Sequence, residues 1–171
     1  GDHIIQVIAG FLMCQILSYV QSYEGEEEFL FVIDEVAIVE NPILCRFLSE
    51  ARKYHVAVVL ISQYLTQVSS SLKDAILANV VNYYLFRIAY FDADLLVDHM
   101  NMSLYGNNIR EEKIKMLTGL SNREGVLRIQ KEGKILSTMK FKTLPFTSIP
   151  RKNEFQKQEK KEKKEKKSSL S

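Results

Sequence analysis

The sequence predicts an α/β fold: a three-layer parallel sheet with helices on both faces, ending in a β-hairpin and followed by a disordered tail. Three observations predict it. Phe29-Leu30-Phe31-Val32-Ile33 and Val56-Ala57-Val58-Val59-Leu60-Ile61 are continuous apolar runs rich in β-branched and aromatic residues, the pattern of strands buried on both faces. A helical pattern lies between them, so the unit is a strand–helix–strand crossover and the strands are parallel. The 171 residues are 46% hydrophobic and 26% charged, which suits one soluble domain with a sizeable core.

Residues 3–21 come first. Ile4, Ile5, Val7, Ile8, Phe11, Leu12, Cys14, Ile16, Leu17 and Val20 form a helix that is apolar almost all round, as expected of a helix buried on a sheet. Gln6 and Gln15 interrupt it. The uninterrupted run from Val7 to Cys14 is far short of the ~20 residues of a membrane span. Ser22 to Glu28 is a polar connection to the first strand. Asn41-Pro42 starts a helix, with Pro in the first turn. Ile43, Leu44, Phe47, Leu48 and Ala51 follow at helical spacing, and Arg52-Lys53 occupies the last turn, where cations suit the helix dipole. After the second strand, Thr66 to Ser71 is a Ser-rich loop and Leu72 to Val80 a short helix. Val81 to Ile88 is a third strand. Asp92 to Met100 is a helix capped by Asp92. Gly106-Asn107-Asn108 breaks the chain before a helix over Ile109 to Leu117. Gly125 to Gln130 and Lys134 to Phe141 alternate around Lys131-Glu132-Gly133, as in a hairpin.

Leu144-Pro145-Phe146 closes the body, which spans residues 1–147; residues 148–171 form a tail. Residues 151–171 hold nine Lys/Arg and four Glu, with too few apolar side chains to fold. That is a net +5 within a total of +2, so the body is mildly acidic at −3. Bulk charge therefore gives no argument for nucleic-acid binding. The tail reads first as a solvated segment, second as a contact for DNA phosphates or acidic lipid. Cys14 and Cys45 lack metal-ligand spacing and read as buried thiols of a reducing compartment. The chain begins at Gly1 without a secretory signal pattern, and is expected to be a fragment or a processed form.

The chemistry concentrates at the ends of the two strands. Asp34-Glu35 follows the first directly, and Ser62-Gln63 follows Ile61. In open parallel sheets the carboxyl ends of the strands line the ligand crevice. An apolar strand running into Asp-Glu has the form of a Walker B motif in P-loop NTPases. There the Asp helps to hold Mg²⁺ and the Glu orients the attacking water. The plainer reading is a strand that ends in acidic loop residues.

Phe29–Glu35, Ser49-Glu50-Ala51-Arg52-Lys53-Tyr54, Val56–Ile61 with Ser62-Gln63, Ala78-Asn79-Val80 and Leu85-Phe86-Arg87 occur in this order. Together they resemble the C-terminal half of FtsK–HerA superfamily ATPases, closest to HerA-like proteins and the conjugative type IV secretion ATPases. The resemblance covers roughly residues 1–147 and implies a RecA-like domain. His55 stands where the family usually has Gly, and Ala51 where it often has Gly. No Gly-x-x-x-x-Gly-Lys-Ser/Thr occurs in the chain, so it lacks the backbone cradle and Lys for the β- and γ-phosphates. A Leu-Ser-Gly-Gly-Gln-like signature of ABC ATPases is absent before Asp34, and Asp34-Glu35-Val36-Ala37 departs from the Asp-Glu-x-Asp/His of DEAD-type helicases.

The resemblance implies ATP and Mg²⁺ as cofactors, with Asp34 holding Mg²⁺ through water. Glu35 orients the lytic water, and Gln63 senses the γ-phosphate or positions that water. Arg52 matches the arginine finger, with Arg87 as runner-up. The plainer readings are a solvated amide for Gln63, a helix-terminal surface charge for Arg52, and pairing with Asp92 or Asp94 for Arg87. His55 and His99 read as structural or surface residues, and Asp92 and Asp94 as helix-start residues rather than metal ligands. The expected whole is the C-terminal part of a ring motor that moves DNA or a secreted protein. Its expected partners are five further copies in a homo-hexamer and a membrane-associated secretion machinery. Its expected place is the cytoplasm or the inner face of the membrane. The rival is a degenerate RecA-like module without ATPase activity that serves as an assembly or DNA-binding partner.

Overall fold

The computed structural model describes residues 2–102 and 110–145; the expected tail and the Gly106-Asn107-Asn108 break lie outside them. Helix α1 spans Asp2–Ser22, strand β1 Phe29–Ile33, helix α2 Pro42–Glu50 and strand β2 Val56–Leu60. β1 and β2 pair in parallel, from Phe29 opposite Val56 to Ile33 opposite Leu60. The crossover read from the apolar runs is therefore present. Asn41 caps α2 as its position before Pro42 predicts: its side-chain oxygen accepts from Ile43 N (3.0 Å) and Leu44 N (3.2 Å). Leu44, Phe47 and Leu48 are the buried face of α2. Phe47 is fully buried with its ring centroid 5.0 Å from that of Phe31. Phe47→Ala is expected to destabilise the fold by about 3–5 kcal/mol, transfer and cavity together. Urea unfolding checks it, and a loss below about 1 kcal/mol would mean that Phe47 is not a core residue.

Two expectations about burial are corrected. Only Met13, Leu17 and Val20 of α1 are buried, while Ile4, Val7, Ile8 and Phe11 are more than half exposed. The helix packs chiefly by its C-terminal half, with Ala9 also against the core. Over His3–Ser22 it is also long and apolar enough to cross a membrane by length and composition, which the eight-residue run did not show. The strands are buried on one face only: Leu30 (67% exposed), Val32, Val59 and Ile61 face solvent. A two-stranded sheet with helices on one side leaves its other apolar face uncovered.

Helix α3 spans Ser70–Asn79, and Ser69 caps it by accepting from Leu72 N. Strand β3 is Tyr83–Leu85, helix α4 Tyr90–Leu96 and helix α5 Arg110–Thr118. Strands β4 (Glu124–Arg128), β5 (Gln130–Lys131), β6 (Lys134–Ile135) and β7 (Met139–Lys142) follow. The third strand does not join β1 and β2. β3 pairs antiparallel with β4, and β4 with β7. No described strand lies between β2 and β3. Among the described residues the result is a mixed α/β fold with three small sheets instead of one continuous parallel sheet. The predicted hairpin is β5–β6, turning through Glu132 (φ 51) and Gly133 (φ 77), two positive-φ residues that match the twist of the flanking strands. Gly125 is required where it stands, because a Cβ there would meet the Phe141 ring and the Leu85 carbonyl.

Apolar packing divides accordingly. One cluster gathers Leu96, Met100, Leu117 and Val126 under the antiparallel sheet. A second joins Met13, Ile33, Val36, Leu44 and Leu72, and a third joins Leu17, Phe47 and Val56. Cys14 and Cys45 are free and half-buried.

Candidate active site

The register of β1 and β2 brings their polar ends together. Ile61 N donates to Ile33 O (2.9 Å) and Val36 N donates back to Ile61 O (3.1 Å), so pairing continues past both strands and straddles Asp34-Glu35. Val36 is buried and anchors the turn from below. Glu35 itself takes a left-handed backbone (φ 51), a conformation that costs a non-glycine residue roughly 1–2 kcal/mol. Its N–H donates to Asp34 Oδ1 (3.0 Å), and that contact holds the turn. The side chain of Gln63, 28 residues later, then donates Nε2–H to Glu35 Oε2 at 2.9 Å. Glu35 is half-buried, whereas Asp34 and Gln63 are exposed.

Three of the residues singled out in the sequence therefore share one sheet edge: Asp34, Glu35 and Gln63. Arg52 does not join them. It is exposed in the 3₁₀ turn Ala51–Tyr54, which leads into β2. β2 has five residues, and at about 3.3 Å per residue the two edges are roughly 17 Å apart. Arg87 is exposed two residues after β3. It does not pair with Asp92 or Asp94: Asp94 pairs with Arg110 and Asp92 accepts from Thr66 N. His55 closes the 3₁₀ turn in the left-handed region (φ 57), the conformation that glycine adopts freely. That accounts for the glycine usual at this place in the resembled family. Asn79 donates to Ala75 O within α3 (2.8 Å).

Asp92 is not the cap of α4; Ala89 holds that place and Asp92 lies in the first turn, buried. Its contact to Thr66 bridges 26 residues, and no local pattern could disclose it. Glu40 was also missed. Its two carboxylate oxygens both accept from Ser69 N at 3.1 Å, fixing the start of α3 to the residue before the α2 cap. An open apolar groove between Tyr19 and Ile16 of α1 and Phe29 and Phe31 of β1 holds none of the candidate residues.

Asp34 Oδ2 accepts no hydrogen bond among the described residues and faces solvent. Among those residues no cluster of three His, Cys, Asp or Glu side chains could hold a metal. One free carboxylate suits Mg²⁺, which keeps waters and takes one or two carboxylates together with substrate phosphates.

By sequence the chain matches no protein-family model and no curated protein. Its structure is similar to the solved structure of VirB4 of Thermoanaerobacter pseudethanolicus, with a TM-score of 0.59 and 16% identity over 85% of this chain. The matched part is 39% of that protein, so the chain spans about two fifths of the length of VirB4. What the two have in common is the fold.

Proposed function

We propose that this chain is the C-terminal part of an ATPase domain in a ring motor of the VirB4 and HerA kind. The hydrolytic edge of that domain is Asp34, Glu35 and Gln63. The observation that carries the reading is the 2.9 Å hydrogen bond from Gln63 to Glu35 at the carboxyl ends of two parallel strands. A solvated strand-end amide has no need of such a partner. In this reading Asp34 holds Mg²⁺ through water and Glu35 accepts a hydrogen bond from the attacking water. Gln63 keeps Glu35 aimed and presents its amide to the γ-phosphate side. Mg-ATP, when bound, supplies the charge-neutralised phosphoryl group that water attacks.

The sheets support a piece of a larger domain. Among the described residues β2 and β3 each keep one unpaired edge. A strand from elsewhere in the intact protein, carrying the phosphate loop, would pair there, and the helix that follows it would cover Leu30 and Val59, completing a RecA-like three-layer sheet. The intact protein is then a homo-hexamer that moves DNA or a secreted protein, in the cytoplasm or peripheral to the inner face of the membrane beside a secretion machinery. The second reading, a degenerate module without hydrolysis, draws on one observation: 171 residues without Gly-x-x-x-x-Gly-Lys-Ser/Thr.

Gln63→Ala in the intact protein separates the two. Turnover should fall about 10²-fold, the cost of removing one positioned polar group, with Mg-ATP affinity little changed. Residues 1–171 alone should show no micromolar binding of Mg-ATP in calorimetric titration. Unchanged turnover in Gln63→Ala, or micromolar binding by residues 1–171, would contradict the assignment.

A further inference from the structure

Asp92 is the one buried acidic side chain among the described residues, at 2% exposure. A buried carboxylate is costly unless it is paired or hydrogen-bonded. Here Oδ1 accepts from Thr66 N at 2.8 Å, and Oδ2 is buried with no partner. Such a group is not explained by the packing of α4, which an apolar side chain of similar size would serve.

Thr66 lies in the 3₁₀ turn Leu65–Gln67, three residues beyond Gln63. Three residues reach at most about 10 Å, so the anchor is close to the amide it would steady. Between them Ser62 Oγ donates to Tyr64 O (3.2 Å) and tightens the bend. Leu65 packs on both the cluster under the antiparallel sheet and the one joining α2 and α3. The Gln63 loop thus runs along the seam between two bodies of the fold, one built on β1 and β2 with α1 to α3, the other on the antiparallel sheet with α4 and α5. Asp92, in the first turn of α4, fastens it to the body that carries β3 and Arg87.

We propose that Asp92 is a positioning residue for Gln63: it latches the Gln63 loop to α4, so that the Glu35–Gln63 pair is held from both bodies of the fold. The proposal rests on the reading of Gln63 as part of the hydrolytic edge. The latch also gives a route by which movement of the β3–α4 body would reach Gln63.

Two variants of the intact protein test it. Asp92→Asn keeps an oxygen for Thr66 N–H; Asp92→Leu has similar volume and no acceptor. The readouts are amide hydrogen exchange over residues 64–67, thermal midpoint, and kcat and KM for ATP. Asp92→Leu is expected to raise exchange at Thr66 about tenfold or more and to lower kcat about tenfold. KM should stay within about twofold and the thermal midpoint within about 4 °C of the parent. Asp92→Asn should recover kcat to within about threefold of the parent. Adding Asp92→Leu to Gln63→Ala should slow turnover no further, because the latch acts through Gln63. Parental kcat in Asp92→Leu, an Asp92→Asn as slow as Asp92→Leu, or additive losses in the double variant would overturn the proposal. Loss of the fold in Asp92→Leu would assign Asp92 to stability alone and overturn it equally. If Gln63→Ala keeps parental turnover, the hydrolytic reading fails by itself. Exchange at Thr66 in Asp92→Leu then still decides whether the latch exists.

Discussion

Arg52→Ala in the intact protein is expected to keep ATP binding and assembly and to lose hydrolysis by about 10³–10⁵-fold, the range for a finger supplied in trans. The geometry explains why the loss should appear only in an assembly. Arg52 sits before β2, while Glu35 and Gln63 sit at the opposite edge. An arginine side chain cannot cross the roughly 17 Å that a five-residue strand spans. It does stand exposed where a neighbouring subunit could meet it. The planar, permanently charged guanidinium binds phosphate oxygens bidentately, which a lysine at this place would not. Mixing Arg52→Ala with Glu35→Gln subunits should restore part of the activity. Interfaces that pair an intact Glu35 with a neighbour's intact Arg52 then reappear. Steady-state ATPase across mixing ratios reads this directly. Near-parental turnover of Arg52→Ala alone would leave Arg52 a surface charge. Arg87, exposed beyond β3, would then be tested in the same mixing design.

The edge that gathers Asp34, Glu35 and Gln63 was legible because its determinants are local. Phe29–Ile33 and Val56–Leu60 are too apolar to be loops and too short to be helices. The intervening Asn41-Pro42 start and the apolar spacing of α2 force a parallel pairing. Once the strands are parallel, Asp34-Glu35 and Ser62-Gln63 must share an edge, and the hydrogen bond between Glu35 and Gln63 follows. The turn at Glu132-Gly133 was legible for the same reason: its preference is carried by two residues.

What could not be read depends on partners far away in the chain. β3 pairs with β4 across more than forty positions, Tyr83 opposite Arg128. Nothing in Val81–Ile88 states whether its neighbour is parallel or antiparallel. Apolar content marked α1, β1 and β2 as buried, yet hydrophobicity records what a surface favours and not whether a partner is there to cover it. Ile4, Phe11, Leu30 and Val59 remain exposed for that reason. Asp92 at a helix start looks like a cap in any sequence. Its burial and its contact to Thr66 exist only once α4 has packed beside the Gln63 loop. The left-handed backbones of Glu35 and His55 have no signature in those side chains.

Glu35→Gln carries the second large effect and bears on the central claim, that the Asp34–Glu35–Gln63 edge hydrolyses ATP. The substitution is nearly isosteric and leaves the left-handed turn, its Asp34 contact and the pairing through Val36 unaltered. The charge that attracts the proton of the attacking water is removed and one acceptor oxygen becomes an NH2 group, while the remaining oxygen keeps an acceptor for Gln63. Nucleotide contacts made by phosphate groups elsewhere are untouched, so ground-state binding should persist while the transition state loses its oriented water. The decisive measurement is steady-state ATPase of the intact Glu35→Gln protein, taken beside its affinity for Mg-ATP. The account predicts affinity close to the parent and turnover lower by about 10²–10³-fold or more. Turnover within about threefold of the parent, with binding unchanged, would remove Glu35 from the reaction and contradict the hydrolytic reading of this edge.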